Sequence, residues 1–294
     1  MKGKRLKQKR KSSILIIPLI LYTFLFLYLF AWGLMTSLKN VDDFNAGNVL
    51  GLPIQWTIEN FKTVYNNMYV RVYLEDGSPY HVYFGEQILY SVVYAVGAAF
   101  CSTFVTCITA YATSRFNYKF SKVVYTVVIV CLALPIVGSL PSELELSQKM
   151  GTYDHIWGLW FLKSHALNMY YLVFFATFRS MPKEIPEAAY MDGAGEFRIF
   201  FKLMLPLAKP LFTTVFLLFF ISYWNDYQTP LMFMPSYPTL SLGVFQASMT
   251  SATFMSEVPV KISACFLLVI PIAIASIAFR KKLMGNVMVG AVKG

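Results

Sequence analysis

Charge is scarce in this chain of 294 residues: 14% of positions are Asp, Glu, Lys or Arg, against 57% hydrophobic. That balance excludes an ordinary water-soluble globule, whose surface needs far more charge. Cysteine and histidine are few, at four and three. Cys101, Cys107, Cys131 and Cys265 all lie in apolar runs, and Cys101 and Cys107 stand too far apart for one tight ligand knuckle. Cysteines so placed read as small buried hydrophobes. His81, His155 and His165 are scattered, so no metal site is expected. Catalytic signatures are missing too. There is no Gly-x-x-x-x-Gly-Lys-Ser/Thr phosphate loop, no nucleophile elbow and no His-Glu-x-x-His. No catalytic residue and no bound cofactor are therefore expected, and any energy source must be another polypeptide. Inverted repeats of the kind that mark many secondary transporters and low-complexity stretches are also lacking.

What the chain has is apolar length. A bilayer span needs about 20 predominantly apolar residues. Ile14–Met35, Gln87–Thr113, Val123–Leu140 and Leu207–Tyr223 meet that plainly. Ile262–Phe279 is a fifth segment, interrupted by Pro271, which a helix bundle tolerates because neighbours re-satisfy the freed carbonyl. Ala166–Phe178 is a sixth, strongly apolar but short, and is expected to be lengthened by residues reaching back towards Trp160. Aromatics, at 17%, suit helices anchored at membrane interfaces.

The basic residues set the orientation. Lys2, Lys4, Arg5, Lys7, Lys9, Arg10 and Lys11 precede the first run, as in a first transmembrane helix whose N-terminus stays cytoplasmic. A cleaved signal peptide would have an apolar core of about 7–15 residues, shorter than Ile14–Met35. Six spans then put the N-terminal tail, Ser114–Lys122, Arg179–Pro210 and the C-terminus inside, with 19 of the 25 basic residues. Without the weak span Ala166–Phe178, the five basic residues of the next loop would fall outside, against the positive-inside rule. The net charge of +10 thus reports topology, and no nucleic-acid partner is expected. The expected organisation is a basic tail (1–13), a first span (14–35), an extracellular segment (36–86), a five-helix core (87–281) and a cytoplasmic C-terminal tail (282–294). Within the extracellular segment, Glu75, Asp76, Gly77, Ser78 and Pro79 read as a turn between strands Val70–Leu74 and Tyr80–Phe84, a small hairpin.

One polar island interrupts the apolar runs, residues 182–206. Pro182 and Pro186 disfavour helix just before them. Glu184 and Glu187 suit the first turn of a helix, and Ala188 and Ala189 are strong helix formers that permit close approach. Gly193, preceded by Asp192, is expected to end the short helix and turn the chain. Phe197, Phe200, Phe201 and Leu203 then lead back to the bilayer at Leu205 and Pro206. A short helix held between two turns is suited to docking into a cleft on a partner.

The full spacing, Glu187-Ala188-Ala189, three residues, Gly193, nine residues, Leu203, one residue, Leu205-Pro206, resembles the signature loop of the permease subunits of binding-protein-dependent ABC importers. Leu203 replaces the commoner isoleucine. Asp192-Gly193-Ala194 resembles the form found in the carbohydrate branch, and Gly290-Ala291-Val292-Lys293-Gly294 is similar to the ending of its maltose-type subunit with six spans. Gly151-Thr152-Tyr153-Asp154 with Gly158, and Tyr223-Trp224-Asn225-Asp226, also resemble that branch. The residues 66–84 depart from it, because relatives usually pass quickly from the Glu59-Asn60-Phe61 segment to the second span.

The resemblance implies an all-α polytopic membrane protein of the type I importer permease fold, with a hairpin insertion. It implies a coupling helix carried by Glu187, Ala188, Ala189, Asp192, Gly193, Leu205 and Pro206, seated in a groove of a cytoplasmic ATPase. It further implies a tail, Gly290–Gly294, that contacts the ATPases, and a location in the bacterial cell membrane with both termini cytoplasmic. The implied partners are a second permease subunit, two ATPase subunits that bind ATP and Mg, an extracellular solute-binding protein and a sugar. Tyr223, Trp224, Asn225 and Asp226 stand as pathway candidates, because polar groups near the membrane tend to mark pathways and aromatic faces suit saccharides. The same aromatics also suit an interface belt. A non-sugar solute is the alternative within the family. A proton- or sodium-coupled carrier would need intramembrane carboxylates, and none lies mid-span.

The topology is checked by labelling. With the native cysteines replaced, a cysteine placed between Glu75 and Pro79 is expected to react with an impermeant thiol reagent from outside. One beside Glu187 is expected to stay protected. Reversed labelling overturns the six-span arrangement.

Overall fold

The computed structural model describes residues 2–291 apart from 75, 117, 135–137 and 250–252, with side chains over those described residues of 16–279 other than 253. In chain order the elements are α1 (Lys2–Ser37), α2 (Val41–Asn45), α3 (Glu59–Asn67), β1 (Tyr69–Tyr73), β2 (Pro79–Tyr83), α4 (Phe84–Arg115) and α5 (Lys119–Ala133). They continue with α6 (Leu140–Lys149), α7 (Ile156–Lys163), α8 (Met169–Ser180), α9 (Glu184–Met191), α10 (Glu196–Ile199) and a π turn, Phe200–Met204. Last come α11 (Leu205–Asn225), α12 (Gln228–Phe233), α13 (Leu240–Met249), a 3-10 turn (Thr253–Met255) and α14 (Val258–Ala291). The chain divides into two compact units, residues 1–68 with 246–269, and residues 69–245 with 270–294.

Each of the six apolar segments read from the sequence contains most of a helix, although residues 135–137 of Val123–Leu140 lie outside the described residues and residues 166–168 precede α8. Among the described residues, Ile16–Ser37, Phe84–Arg115, Glu196–Asn225 and Val258–Phe279 are long and apolar enough to cross a membrane alone. The other two are shorter. The expected span Val123–Leu140 begins earlier, at Lys119, and stops at Ala133. Leu134 is already extended, with φ −86° and ψ 123°, because the residue before a proline is driven out of the helical region, and Pro135 follows. The expected extension of the sixth span back towards Trp160 exists as a separate helix, α7.

In the first unit, Gly33 of α1 lets the ring of Phe266 approach; a Cβ there would lie 3.2 Å from it. Beyond α1, Lys39 is buried, and its ammonium donates to the carbonyls of Asn48 and Gly51. Asn60 donates to the carbonyls of Ser37 and Lys39 at 2.9 and 2.7 Å. A cation and an amide, each spent on backbone oxygens, thereby order residues 37–60.

The second unit is built on α4. Its buried face runs Ala95, Ala98, Ala99, Ser102, Thr103, Thr106, Cys107 and Ala110. That is a helical stripe of small residues, the pattern that lets membrane helices pack closely. At Gly97 a Cβ would fall 2.1 Å from the Trp160 indole, so α7 presses directly on the helix. The core beside it combines Tyr111, Tyr171, Phe174, Phe178, Ile199, Phe200 and Met204.

Between α7 and α8 the helix is broken, and α4 repairs the break. Ser102 donates its hydroxyl to the Lys163 carbonyl at 2.9 Å. Asn168 donates to Thr106 at 2.9 Å and to the His165 carbonyl at 3.0 Å, while its own carbonyl oxygen caps α8 at the Tyr171 amide. Irregular backbone survives at membrane depth only when neighbours satisfy it in this way.

The hairpin is present one residue earlier than expected, with Val70 opposite Val82 and Arg71 opposite His81. Val70, Val72 and Val82 face inward. Asp76 accepts from the Ser78 hydroxyl and amide, bonds that hold its carboxyl below the usual carboxylate range. Glu75, part of the expected turn, lies outside the described residues. Glu86 of α4 accepts from the Tyr83 amide and the Tyr80 hydroxyl, fastening the hairpin to the helix it enters without a linker.

The segment Gly151–Gly158 has a structural explanation. Gly151 has φ +67° and Asp154 has φ +56°, and Asp154 is held there by the Ser236 amide and hydroxyl at 3.0 and 2.6 Å. A Cβ at Gly158 would lie 2.0 Å from the Thr152 carbonyl oxygen. Because that neighbour is backbone, Gly158→Ala is expected to destabilise the protein by about 1–3 kcal/mol. A lowered thermal midpoint of the purified protein in detergent checks it, and an unchanged midpoint refutes it.

Candidate functional site

Residues 182–206 fold as a short helix between two defined turns. Glu184 and Glu187 occupy the first turn of α9, where carboxylates complement unsatisfied amides. Asp192 closes the helix, its amide bonding back to the Ala188 carbonyl. Gly193 then adopts φ +75°, a left-handed conformation that glycine reaches without a Cβ penalty. Amides of Gly193 and Ala194 return to the carbonyls of Tyr190 and Ala189 at 2.9 Å each, so the turn is fully bonded. The Tyr190 hydroxyl donates to Glu196 across it. Partial burial and that carboxylate together push the Tyr190 phenol above its ordinary value.

This geometry sorts the residues by role. Glu184, Glu187, Ala188 and Met191 are exposed and recur at the i, i+3, i+4, i+7 spacing of one helix face. Met191, at 88% exposure, projects farthest. Pro186 is buried, and Ala189 packs on the core with Ala194. Met191 was not singled out by sequence reading, although its spacing from Glu184 was the available signal. A face with small Ala188 at its centre and a flexible thioether at its end suits a hydrophobic groove.

Leu205 and Pro206 do not join that face. Leu205 packs against the core, and both residues open α11 behind the π turn. There the Leu205 amide reaches back to the Phe200 carbonyl. Pro206 has no amide and its ring crowds the carbonyl four residues earlier, and the wider turn relieves that crowding. Their role in the structure is to connect the short helix rigidly to α11.

At the far end of α11 the four pathway candidates part company. Asp226 caps α12 by accepting from the Thr229 amide at 3.0 Å, and also accepts from the Tyr94 hydroxyl at 3.2 Å. Ser241 donates to its backbone carbonyl at 2.8 Å. The Tyr223 hydroxyl shares a 2.9 Å bond with Ser102, the same residue that satisfies the break before α8. Trp224 is 2% exposed. Asn225 is exposed, its amide folded onto the Ile221 carbonyl. Ser102, Tyr94 and Ser241, unremarked in the sequence, are thus the partners that organise this end. The tail candidates Gly290 and Ala291 fall in the backbone of α14. Val292, Lys293 and Gly294 lie outside the described residues.

Comparisons agree with this architecture. The sequence pattern of the binding-protein-dependent transport system inner membrane component matches residues 102–283, a stretch that runs from Ser102 through α9 and into α14. The diacetylchitobiose uptake system permease protein NgcG of Streptomyces coelicolor is 25% identical over 285 residues, covering 96% of this chain and 89% of its own. The trehalose/maltose transport system permease protein MalG of Thermococcus litoralis is 25% identical over 287 residues, covering 97% and 98%. Among solved structures, a chain of a bacterial ABC transporter involved in the import of the acidic polysaccharide alginate superposes with a TM-score of 0.74. It is 19% identical, and the match covers 92% of this chain and 95% of that one. The fold is accordingly that of the type I ABC importer permeases, with four helices of membrane length and shorter helices between them among the described residues. With more than half of its length matched, the chain belongs to the family of binding-protein-dependent transport system inner membrane components.

Proposed function

We propose that this protein is one permease subunit of an ATP-driven carbohydrate importer, coupled to its ATPase through α9. The observation that carries the reading is the exposed face Glu184, Glu187, Ala188 and Met191, held out by the bonded turn at Gly193. The permeases similar to it over nearly their whole length are named for diacetylchitobiose and for trehalose and maltose, which supports an oligosaccharide as the solute. A second permease completes the pathway, an extracellular binding protein delivers the sugar, and two cytoplasmic ATPases bind ATP and Mg. Both termini lie in the cytoplasm of a bacterial cell. ATP binding closes the ATPases on the coupling helices and shifts the population between inward-facing and outward-facing states, because the partners bind the two states with different affinity. Asn225, exposed at the end of α11, faces the pathway; Tyr223, Trp224 and Asp226 frame it.

Two variants test the coupling. Gly193→Pro is expected to abolish uptake with membrane insertion intact, since proline fixes φ near −65° where the turn uses +75°. Ala188→Arg leaves the fold in place and obstructs the docking face. It is expected to weaken ATPase association about tenfold or more, roughly 1.4 kcal/mol. Normal uptake of labelled oligosaccharide by both variants refutes the assignment.

The tail supplies an independent check. Gly285, Val287, Val289, Gly290, Ala291 and Val292 are small and apolar for a solvated end. Deleting Gly290–Gly294 is expected to lower ATPase co-purification or stimulation without altering insertion. Full yield and a normal transport rate would leave the tail without that role.

A further inference from the structure

A cavity of about 930 Å³ opens beside α9, between the end of α4, the start of α5 and the end of α8. Arg115, Lys122, Arg179 and Lys183 converge on it, with Glu187 and Glu196 as its carboxylates. Among the described residues none of the four cations is in an ion pair; the bridges found are Lys62 to Glu59 and Lys149 to Glu145. Arg115 donates one guanidinium nitrogen to the Met181 carbonyl at 3.2 Å, and its buried Nε has no partner. The Arg179 guanidinium lies 5.9 Å from the centre of the Phe175 ring. Glu196 is already engaged by the Tyr190 hydroxyl. The positive-inside rule accounts for cations at this membrane boundary. It does not account for four of them around one recess that holds two carboxylates, one of them already engaged, an excess of positive charge that a bound anion would relieve.

We propose that this cavity binds a phosphate-bearing anion, and that the anion is the headgroup of an acidic phospholipid. The second part follows from α5. The face that begins at Lys122 and Thr126 in the cavity continues over the next two turns to Ile129 and Leu132, each 40% exposed. A headgroup held by Lys122, Arg179 and Lys183 therefore has an apolar helix face along which its acyl chains run. Juxtamembrane basic clusters attract acidic lipids at the cytoplasmic leaflet, and guanidinium groups match phosphate oxygens in pairs. The assignment rests on the proposed function in placing this cavity, which Glu187 of α9 also lines, at the cytoplasmic leaflet.

The test uses the assembled transporter, delipidated and reconstituted in phosphatidylcholine nanodiscs with or without phosphatidylglycerol. Native mass spectrometry after transfer to detergent counts the lipids retained. Wild type is expected to keep phosphatidylglycerol in preference to phosphatidylcholine. The triple variant Lys122→Gln, Arg179→Gln, Lys183→Gln, whose sites are exposed, is expected to lose that preference roughly tenfold while assembling at normal yield. Arg115 is left in place because it also supports the backbone at Met181. A second arm measures binding of inorganic phosphate in pure phosphatidylcholine nanodiscs. Phosphate binding that the triple variant abolishes, without any lipid preference, overturns the lipid assignment in favour of a soluble phosphate. Equal phosphatidylglycerol retention by variant and wild type overturns the site. So does cross-linking of a cysteine at position 122 to an ATPase subunit, which would make the cavity a protein interface.

Discussion

The second unit depends on the close approach that α4 allows. Its stripe of alanines, hydroxyl residues and Cys107 presents almost no side-chain volume, so helices can press against its backbone. In lipid there is no hydrophobic drive to bring apolar helices together, and small residues with hydroxyl donors do that work through dispersion contacts and hydrogen bonds. Ser102 shows the economy of the arrangement. Its one hydroxyl satisfies the Lys163 carbonyl and shares a bond with Tyr223. The break between α7 and α8 and the far end of α11 are therefore tied to the same turn of α4. A larger residue at that position would displace both.

From that centre the mechanical chain to α9 can be followed. The core aromatics Phe174, Phe178 and Phe200 fix the end of α8 and the π turn around Tyr111. Ala189 and Ala194 rest on this cluster, and the turn at Gly193 is closed by backbone bonds and by the Tyr190–Glu196 contact. Ala188 and Met191 thus stand on a bonded turn that runs on into the long apolar helix Glu196–Asn225. Within Glu196–Asn225 the regular bonding pattern is widened at the π turn and interrupted again at Pro210.

Much of this was legible beforehand, and the reasons differ by element. The span segments were readable because bilayer thickness imposes a length, and Gly193 because a left-handed turn selects glycine. The hairpin was visible from its valine alternation and from the Asp-Gly turn, with an error of one residue. What escaped the sequence was relational. Asp226 and Tyr223 stood out as polar groups near a membrane, yet their partners, Thr229, Tyr94 and Ser102, are set by packing that periodicity does not reveal. The early end of α5 was readable in principle from Pro135, but apolar length outweighed it. Asp154 gave no signal of its bond to Ser236, 82 residues away.

The far end of α11 shows what separates a polar group open to exchange from one that holds structure. A saccharide needs hydrogen-bonding groups that are free to be exchanged with water and then with ligand hydroxyls. Asp226 already accepts two hydrogen bonds and caps a helix, and Tyr223 is bonded to Ser102. Breaking these would forfeit about 0.5–1.5 kcal/mol each and would loosen α12. Asn225 differs, since its bond to the Ile221 carbonyl is exposed and water can replace it at little cost. Exposure rather than polarity therefore separates a group able to meet solute from those that hold its surroundings. On that criterion Asn225 is the one of the four polar candidates at this end of α11 whose hydrogen bond is open to exchange, while Tyr223 and Asp226 serve the packing around it.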